Sequence, residues 1–500
     1  MTSPRSAFSD VPSAVRHWAV TTPGRTAIVD DAGALTYGQL LRRATGIQTA
    51  LARLGAGRGV TVAVVDRRGA APLVSTLGCW LGGQVPVLVD AAQPPARIRT
   101  MLRDAGAVAV LSDTTDGSAL DLPVLRPSSE PDMEAPGAGP VQGADAYIIY
   151  TSGSSGPPRG VLVGHRSLRL LVDWHLTEYD VDVRTRASSV ASPGFDAFVW
   201  ETWPYLSAGA SVHFAPDSAR LSPFELSSWY VTEKIDISFL PTPLAEAYLR
   251  YGTDLRQLRC LLTGGDQLRV AGPHELRRFV NHYGPTEATV VTTYADVPST
   301  TAAGPAPIGR PVPSARLLVA DPDTGCPTRG DVGELLIGGA CLARAYWADE
   351  ATTRRRFVSV DGSPGRWYRT GDLVRRDDDG DLWFVGRIDR QVKVRGVRVE
   401  PAEIESALLT HPGVADVAVE QGPTGELTAF VQSCLDGQGI TLDDALRDHA
   451  RTVLPDTMIP RHVVLVDSLP LTRNGKVDRA ALRSFFEAAQ RALPGADRAR

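Results

Sequence analysis

The stretch Tyr150-Thr151-Ser152-Gly153-Ser154-Ser155-Gly156-Pro157-Pro158-Arg159-Gly160 decides how this chain is read. Ala146-Tyr147-Ile148-Ile149 before it is an apolar, β-prone strand, and Val161-Leu162-Val163 after it is a second short strand. The eleven residues between them hold three glycines, two prolines and four Ser/Thr hydroxyls. Glycines let a backbone approach a ligand and present N–H groups as an anion-binding nest, and hydroxyls add neutral donors. The loop therefore has the chemistry of a phosphate grip. It is not a Walker A loop, because no Gly-Lys-Ser/Thr stands at the required spacing and a strand follows in place of a helix. Standing alone, such a run is better read as a flexible hairpin loop, so the rest of the chain must decide.

Upstream, strands and helices alternate. Ala27–Val29, Val60–Val65, Val85–Asp90 and Ala107–Leu111 read as strands, and 37–54, 71–80 and 97–105 as helices, with Thr36 as N-cap of the first. This alternation predicts a largely parallel sheet. Residues 113–145, rich in Pro, Gly and Ser, read as a surface connection. Downstream, 167–175 and 195–206 are predicted helices. Strands at 235–240, 258–263 and 279–283 end near Gly-containing turns, and ligands of open α/β sheets collect at such strand ends. From about 307 short strands and turns take over, and the last hundred residues form a smaller α+β unit. Asp377–Gly380 is predicted to be a hairpin turn and Arg354-Arg355-Arg356 a solvated helix face. The expected architecture is α/β: a large N-terminal domain of mixed β-sheets with flanking helices (1–388), plus a small mobile α+β C-terminal domain (389–500).

Composition narrows the function classes. A net charge of −5 on 52 basic and 57 acidic residues argues against nucleic acid as partner. Five cysteines without a CxxC pair read as reduced thiols, with neither a disulfide framework nor a zinc site. No secretory leader or long apolar run is present, so a soluble, cytoplasmic protein without membrane contact is expected. Only Lys234, Lys393 and Lys476 are lysines among the 52 basic residues, so a retained ammonium is worth inspecting. Lys234 reads as ordinary surface.

Ten segments in fixed order carry a resemblance: LTYGQL (35–40), LGGQVPVLVD (81–90), the 150–160 loop, FDAFVWE (195–201), NHYGPTE (281–287), GELLIGGACLARAYW (333–347), YRTGDL (368–373), GRIDRQVKVRGVRVEPAEIE (386–405), LPDTMIP (454–460) and NGKVDR (474–479). Together they resemble the amino-acid-activating adenylation domains of nonribosomal peptide synthetases, in the superfamily of acyl-CoA synthetases and luciferases.

The resemblance implies ATP and Mg²⁺ as cofactors and an aminoacyl adenylate that is passed to a phosphopantetheine thiol. It assigns Thr151, Ser152, Gly153, Ser154, Ser155, Gly156 and Arg159 to the β/γ-phosphates, with Arg159 departing from the family's lysine. Tyr283 would stack on adenine, Asn281 would contact it, and Asp372 would accept the ribose hydroxyls. Thr286 would touch the α-phosphate, Arg387 the nucleotide, and Glu287 would hold Mg²⁺. Lys476 would bridge substrate carboxylate and nucleotide in the transition state. Asp389 would be the hinge, and Lys393 and Gly396 would face pantetheine.

The family's specificity positions fall here on Asp196, Ala197, Trp200, Phe239, Leu262, Gly264, His282, Val290, Val291 and Lys476. An acid in an otherwise apolar pocket is costly unless paired, so Asp196 predicts a substrate α-ammonium. The apolar remainder resembles a leucine pattern. His282 departs from it where asparagine is expected; it either narrows the wall or hydrogen-bonds a hydroxyl or carbonyl of a modified leucine-like substrate. The expected partners are an amino acid and a peptidyl carrier protein in trans, since no carrier serine motif follows Lys476, with an MbtH-like helper admitted as a third. A carboxylate–CoA ligase and an inactive scaffold module are the rival readings.

Overall fold

The computed structural model describes the chain except residues 1–7, 115–120, 128–144, 154–155, 221, 252–256, 271, 329–331, 423–424, 435–438, 471–476, 478–480 and 483–500. It divides into two compact units, the first comprising 1–92, 100–150 and 160–389, and the second comprising 93–99, 151–159 and 390–500.

In the first unit the expected alternation folds as β/α layers. The helix Tyr37–Arg53 starts at Thr36, whose hydroxyl accepts from the Gln39 N–H while the Gln39 side chain accepts from the Thr36 N–H. This reciprocal pair satisfies two donors that a helix start leaves open. Among the described residues, Thr61–Asp66, Val85–Asp90 and Val110–Leu111 run parallel in a seven-stranded sheet. A second, nine-stranded sheet carries Arg186–Ser189, Ile237–Pro241, Cys260–Gly264 and Phe279–Tyr283 side by side and parallel. Their inner faces, with Trp80, Trp200 and Trp203 fully buried, build one continuous apolar core.

The loop 150–160 differs from expectation. Strand pairing continues into it: Asp145–Gly153 and Gly156–Gly164 are both extended, and Ser154 and Ser155 lie outside the described residues. Short hydroxyl-bearing residues and glycines tolerate a pleated backbone as readily as a turn. The helices Pro223–Glu233 and Thr242–Tyr251 are further elements that the apolar periodicity did not announce. Arg356 also departs from a solvated role, since its guanidinium lies 3.4 Å from Asp389. Asp377 does close a turn, accepting from the Asp381 N–H at 2.8 Å and the Trp383 indole at 2.7 Å.

In the second unit, Val414–Gln421, Leu427–Ser433 and His462–Val466 form a three-stranded sheet among the described residues. Helix Pro401–Leu408 shares an apolar core with this sheet through Val399, Ile404, Leu408 and Val417. Val392–Val394 and Val397–Val399 make a hairpin whose turn residues Arg395 and Gly396 have φ of 52° and 80°. Two left-handed residues are what a tight two-residue hairpin of this twist requires.

Candidate active site

The site in the first unit is built where parallel strands end. Phe239 pairs with Leu262, and Thr263 with Asn281; Gly264 then lies against His282. A Cβ at 264 would meet the His282 carbonyl oxygen at 2.7 Å, so only glycine lets these strand ends close up. Side chains alternate along Phe279–Tyr283, which turns His282 to one face and Asn281 and Tyr283 to the other.

The helix Asp196–Ser207 packs over the first of these faces. Its first residue is Asp196, an anion at the end of the helix where backbone N–H groups favour negative charge. Asp196 is half-buried and accepts from the Thr286 hydroxyl at 2.6 Å. The same helix is tied to the sheet by buried Glu201. That carboxylate accepts from Ser189 Oγ at 2.9 Å, Val190 N at 3.0 Å and Ala191 N at 2.9 Å. Burial pushes its pKa up to about 7, against the pull of those three donors.

Trp200, one turn along the helix, stands edge-on to Phe239 and His282, with ring centroids 5.3 and 4.7 Å away. Its indole N–H donates to His175 Nδ1 at 2.9 Å. His282 is held at both nitrogens, by the Thr263 carbonyl at 3.0 Å and the Tyr179 hydroxyl at 2.6 Å. Burial drives the His282 pKa down to about 3, so the ring is neutral. Ala197 is partly buried against the same core.

Thr289 and Val290 carry φ of 56° and 68°, an uncommon left-handed pair of β-branched residues. The turn is held by Thr289 Oγ1 on the Cys341 carbonyl at 2.6 Å, and it leaves Val290 and Val291 buried. Such strain, about 1–3 kcal/mol per residue, persists only where surrounding contacts over-determine the backbone.

On the other face, the Tyr283 hydroxyl donates to Asp372 Oδ2 at 2.5 Å, and Arg387 binds the other carboxylate oxygen. Burial, then the Asp372 charge, raise the Tyr283 pKa, so the phenol stays protonated. Arg387 also forks onto Asp389 at 2.7 and 2.9 Å. Asn281 donates to the Pro307 carbonyl at 2.8 Å, while its buried Oδ1 has no hydrogen-bond partner among the described residues. Glu287, fully buried in the short turn Thr286–Ala288, accepts from the Tyr346 hydroxyl at 2.6 Å.

In the second unit, Ser152 donates to the Arg398 carbonyl at 2.9 Å, while Thr151 and Arg159 are half-buried. Gly153 and Gly156 end the two strands of the hairpin. Lys393 lies in the Val392–Val394 strand and Gly396 in the turn that follows it. Lys476 lies outside the described residues. Sequence reasoning passed over Tyr179, Glu201 and Tyr346. Glu201 and Tyr346 sat within quoted motifs, where a buried polar residue signals a fixed partner; Tyr179 left no local signal.

Residues 15–347 match the family described as AMP-binding enzyme, and residues 403–476 match the AMP-binding enzyme C-terminal domain. The chain belongs to the AMP-binding enzyme family. As such it is an AMP-binding enzyme. Among relatives of this AMP-binding enzyme, one component of the linear gramicidin synthase of Brevibacillus parabrevis is 42% identical over 478 residues, covering 92% of this chain and 9% of that protein. Bacitracin synthase 1 of Bacillus licheniformis is 36% identical over 468 residues, again covering 92% and 9%. The chain thus spans less than a tenth of each of these two proteins. Among solved structures, holo-PA1221, described as an NRPS protein containing adenylation and PCP domains bound to a vinylsulfonamide inhibitor, superposes with a TM-score of 0.79. It is 29% identical, with 96% of this chain and 84% of that one covered. No helix among the described residues is long and apolar enough to cross a membrane.

Proposed function

We propose that this enzyme activates an amino acid with a branched aliphatic, leucine-like side chain as its adenylate, and transfers it to the phosphopantetheine thiol of a carrier protein. The observation that carries this reading is the pocket's split polarity. Asp196 offers a negative charge at one end, while the polar atoms of Trp200 and His282 are bonded to His175, Thr263 and Tyr179. What such a pocket offers a ligand is one anion and an apolar wall, which suits an α-ammonium carrying an aliphatic side chain.

In the first step an oxygen of the substrate carboxylate attacks the α-phosphorus of ATP and the bond to the bridging oxygen breaks, releasing pyrophosphate. Asp196 orients the ammonium, and Thr286, bonded to it, is positioned to touch both substrates. Asn281 Oδ1 is a buried acceptor suited to the adenine amino group. The Asp372 oxygens keep lone pairs for the ribose hydroxyls beyond the donors they already accept. Among the described residues no cluster of three or more His, Cys, Asp or Glu could cage a metal. The single buried carboxylate of Glu287 fits a Mg²⁺ that takes its other ligands from water and phosphate. When bound, that ion would neutralise charge on the leaving pyrophosphate. Arg159 and the hydroxyls of 151–155 would grip the phosphates, and Lys476 would span carboxylate and nucleotide. In the second step the thiolate sulfur attacks the acyl carbon and AMP leaves. Asp389 would be the hinge between the steps, with Lys393 and Gly396 facing the pantetheine arm. Similarity to holo-PA1221, described as containing adenylation and PCP domains, supports a carrier as acceptor.

The test is amino-acid-dependent exchange of labelled pyrophosphate into ATP over the common amino acids and leucine variants. Leucine or a close aliphatic analogue should give the largest signal. Exchange with non-amino carboxylates together with thioester formation on free CoA would replace this reading with that of a CoA ligase.

A further inference from the structure

Behind the pocket wall, the protein satisfies His282 in a way that fixes which part of the ring a substrate meets. The Thr263 carbonyl, 3.0 Å from Nδ1, can only accept, so Nδ1 carries the ring proton. Nε2 is then an acceptor, and the Tyr179 hydroxyl donates to it at 2.6 Å. Tyr179 is itself held in place. It is 2% exposed, Trp174 stands edge-on with ring centroids 5.8 Å apart, and the Arg278 guanidinium lies 5.1 Å over its face. Arg278 in turn is fixed by Glu178 at 2.6 Å and Asp296 at 2.8 Å. Trp200 also stands edge-on to the imidazole, and Phe239 packs edge-on to the Trp200 ring.

We propose that Tyr179 is a positioning residue that sets substrate specificity: by donating to Nε2 it locks the His282 ring and makes that wall apolar. The proposal rests on the reading of His282 as part of the amino-acid side-chain pocket. A free imidazole would turn a nitrogen to the pocket and recruit side chains bearing a hydroxyl or amide. The locked ring leaves such a group without a partner, a penalty on the order of 10²-fold in selectivity. Tyr179 thus acts on selection without touching the substrate, and the histidine at this position behaves as a hydrocarbon.

The experiment is a selectivity ratio in pyrophosphate exchange, measured as kcat/KM for leucine over asparagine and for valine over threonine. In each pair one member replaces apolar atoms by polar ones at near-constant shape. The wild-type ratio should favour the apolar member by about 10²-fold, as apolar pockets do against polar isosteres. Tyr179→Phe removes the donor and should lower both ratios about tenfold, with the KM for ATP unchanged. In a His282→Ala background, Tyr179→Phe should leave the ratios unmoved, because the effect runs through the imidazole. An unchanged ratio in Tyr179→Phe, or the same shift with His282 absent, overturns the proposal. Wild-type protein lacking any amino-acid-dependent exchange overturns the underlying reading instead. A second readout needs no variant to retain activity: ¹⁵N spectra of histidine-labelled wild type should show His282 protonated on Nδ1. A proton on Nε2 contradicts the arrangement outright.

Discussion

Thr286 donates its hydroxyl to the carboxylate of Asp196 at 2.6 Å, joining the turn that follows the Phe279–Tyr283 strand to the first residue of the Asp196–Ser207 helix. The resemblance assigns these residues to different substrates, the nucleotide and the amino acid. Their contact means that placing one places the other. A hydrogen bond to a charged group contributes about 1.5–3 kcal/mol. Thr286→Val should therefore lower kcat/KM for the amino acid about 10- to 100-fold in the exchange assay, and Thr286→Ser should restore most of it. A valine variant of wild-type efficiency would mean that the contact plays no part in catalysis.

Tyr283 and Arg387 share Asp372 between them. Tyr283→Phe keeps the ring but leaves one carboxylate oxygen short of a donor. The KM for ATP should rise about 10- to 100-fold, in line with about 1.5–3 kcal/mol for a hydrogen bond to a charge, while the KM for the amino acid stays put. An effect on the amino-acid KM alone would place this tyrosine in the wrong subsite.

Stability should depend on pH through His282. Its pKa is lowered by burial to about 3, whereas the unfolded chain titrates near the ordinary 6.5. Between these values the unfolded state binds a proton that the native state refuses, so stability falls as pH drops from 6.5 toward 3. The slope approaches about 1.4 kcal/mol per pH unit for this one group. Asp66 and Glu201, raised by burial to about 6 and about 7, act in the opposite sense, because their native states hold protons that the unfolded chain has lost. The readout is therefore the difference in urea midpoint between wild type and His282→Asn from pH 7 to pH 5. Wild type should lose relative stability toward pH 5, and parallel curves would exclude a neutral His282.

The alternation of strands and helices, the Thr36 cap and the run of parallel strands ending near glycines were all legible, because each is a local pattern of apolar spacing, capping or turn chemistry. Asp196 was singled out only through the resemblance, which did not announce its bond to Thr286. What escaped was pairing over long separations. Nothing near residue 179 announces that Tyr179 will meet His282, and nothing in Arg354-Arg355-Arg356 tells which guanidinium turns toward Asp389. The extended path of residues 150–153 and 156–160 was hidden for a related reason. Strand pairing supplied by neighbours overrides a composition that by itself favours a loop.

Lys476 offers a test of the order of steps. The resemblance places it across the substrate carboxylate and the nucleotide, so it should act in adenylate formation and not in thioester formation. Lys476→Ala should lose pyrophosphate exchange by about 10²-fold or more, as when a group that stabilises transition-state charge is removed. It should retain most transfer from preformed adenylate to carrier. Equal loss of both activities would remove the assignment.

The most direct test is amino-acid-dependent pyrophosphate exchange by Asp196→Asn, a near-isosteric change that deletes only the charge facing the α-ammonium. Leaving a buried ammonium unpaired costs about 3–5 kcal/mol, so kcat/KM for leucine should fall at least about 10²-fold while the KM for ATP stays within about threefold of wild type. Full exchange activity in Asp196→Asn would contradict the proposed role of Asp196, because the amine would then be recognised somewhere else.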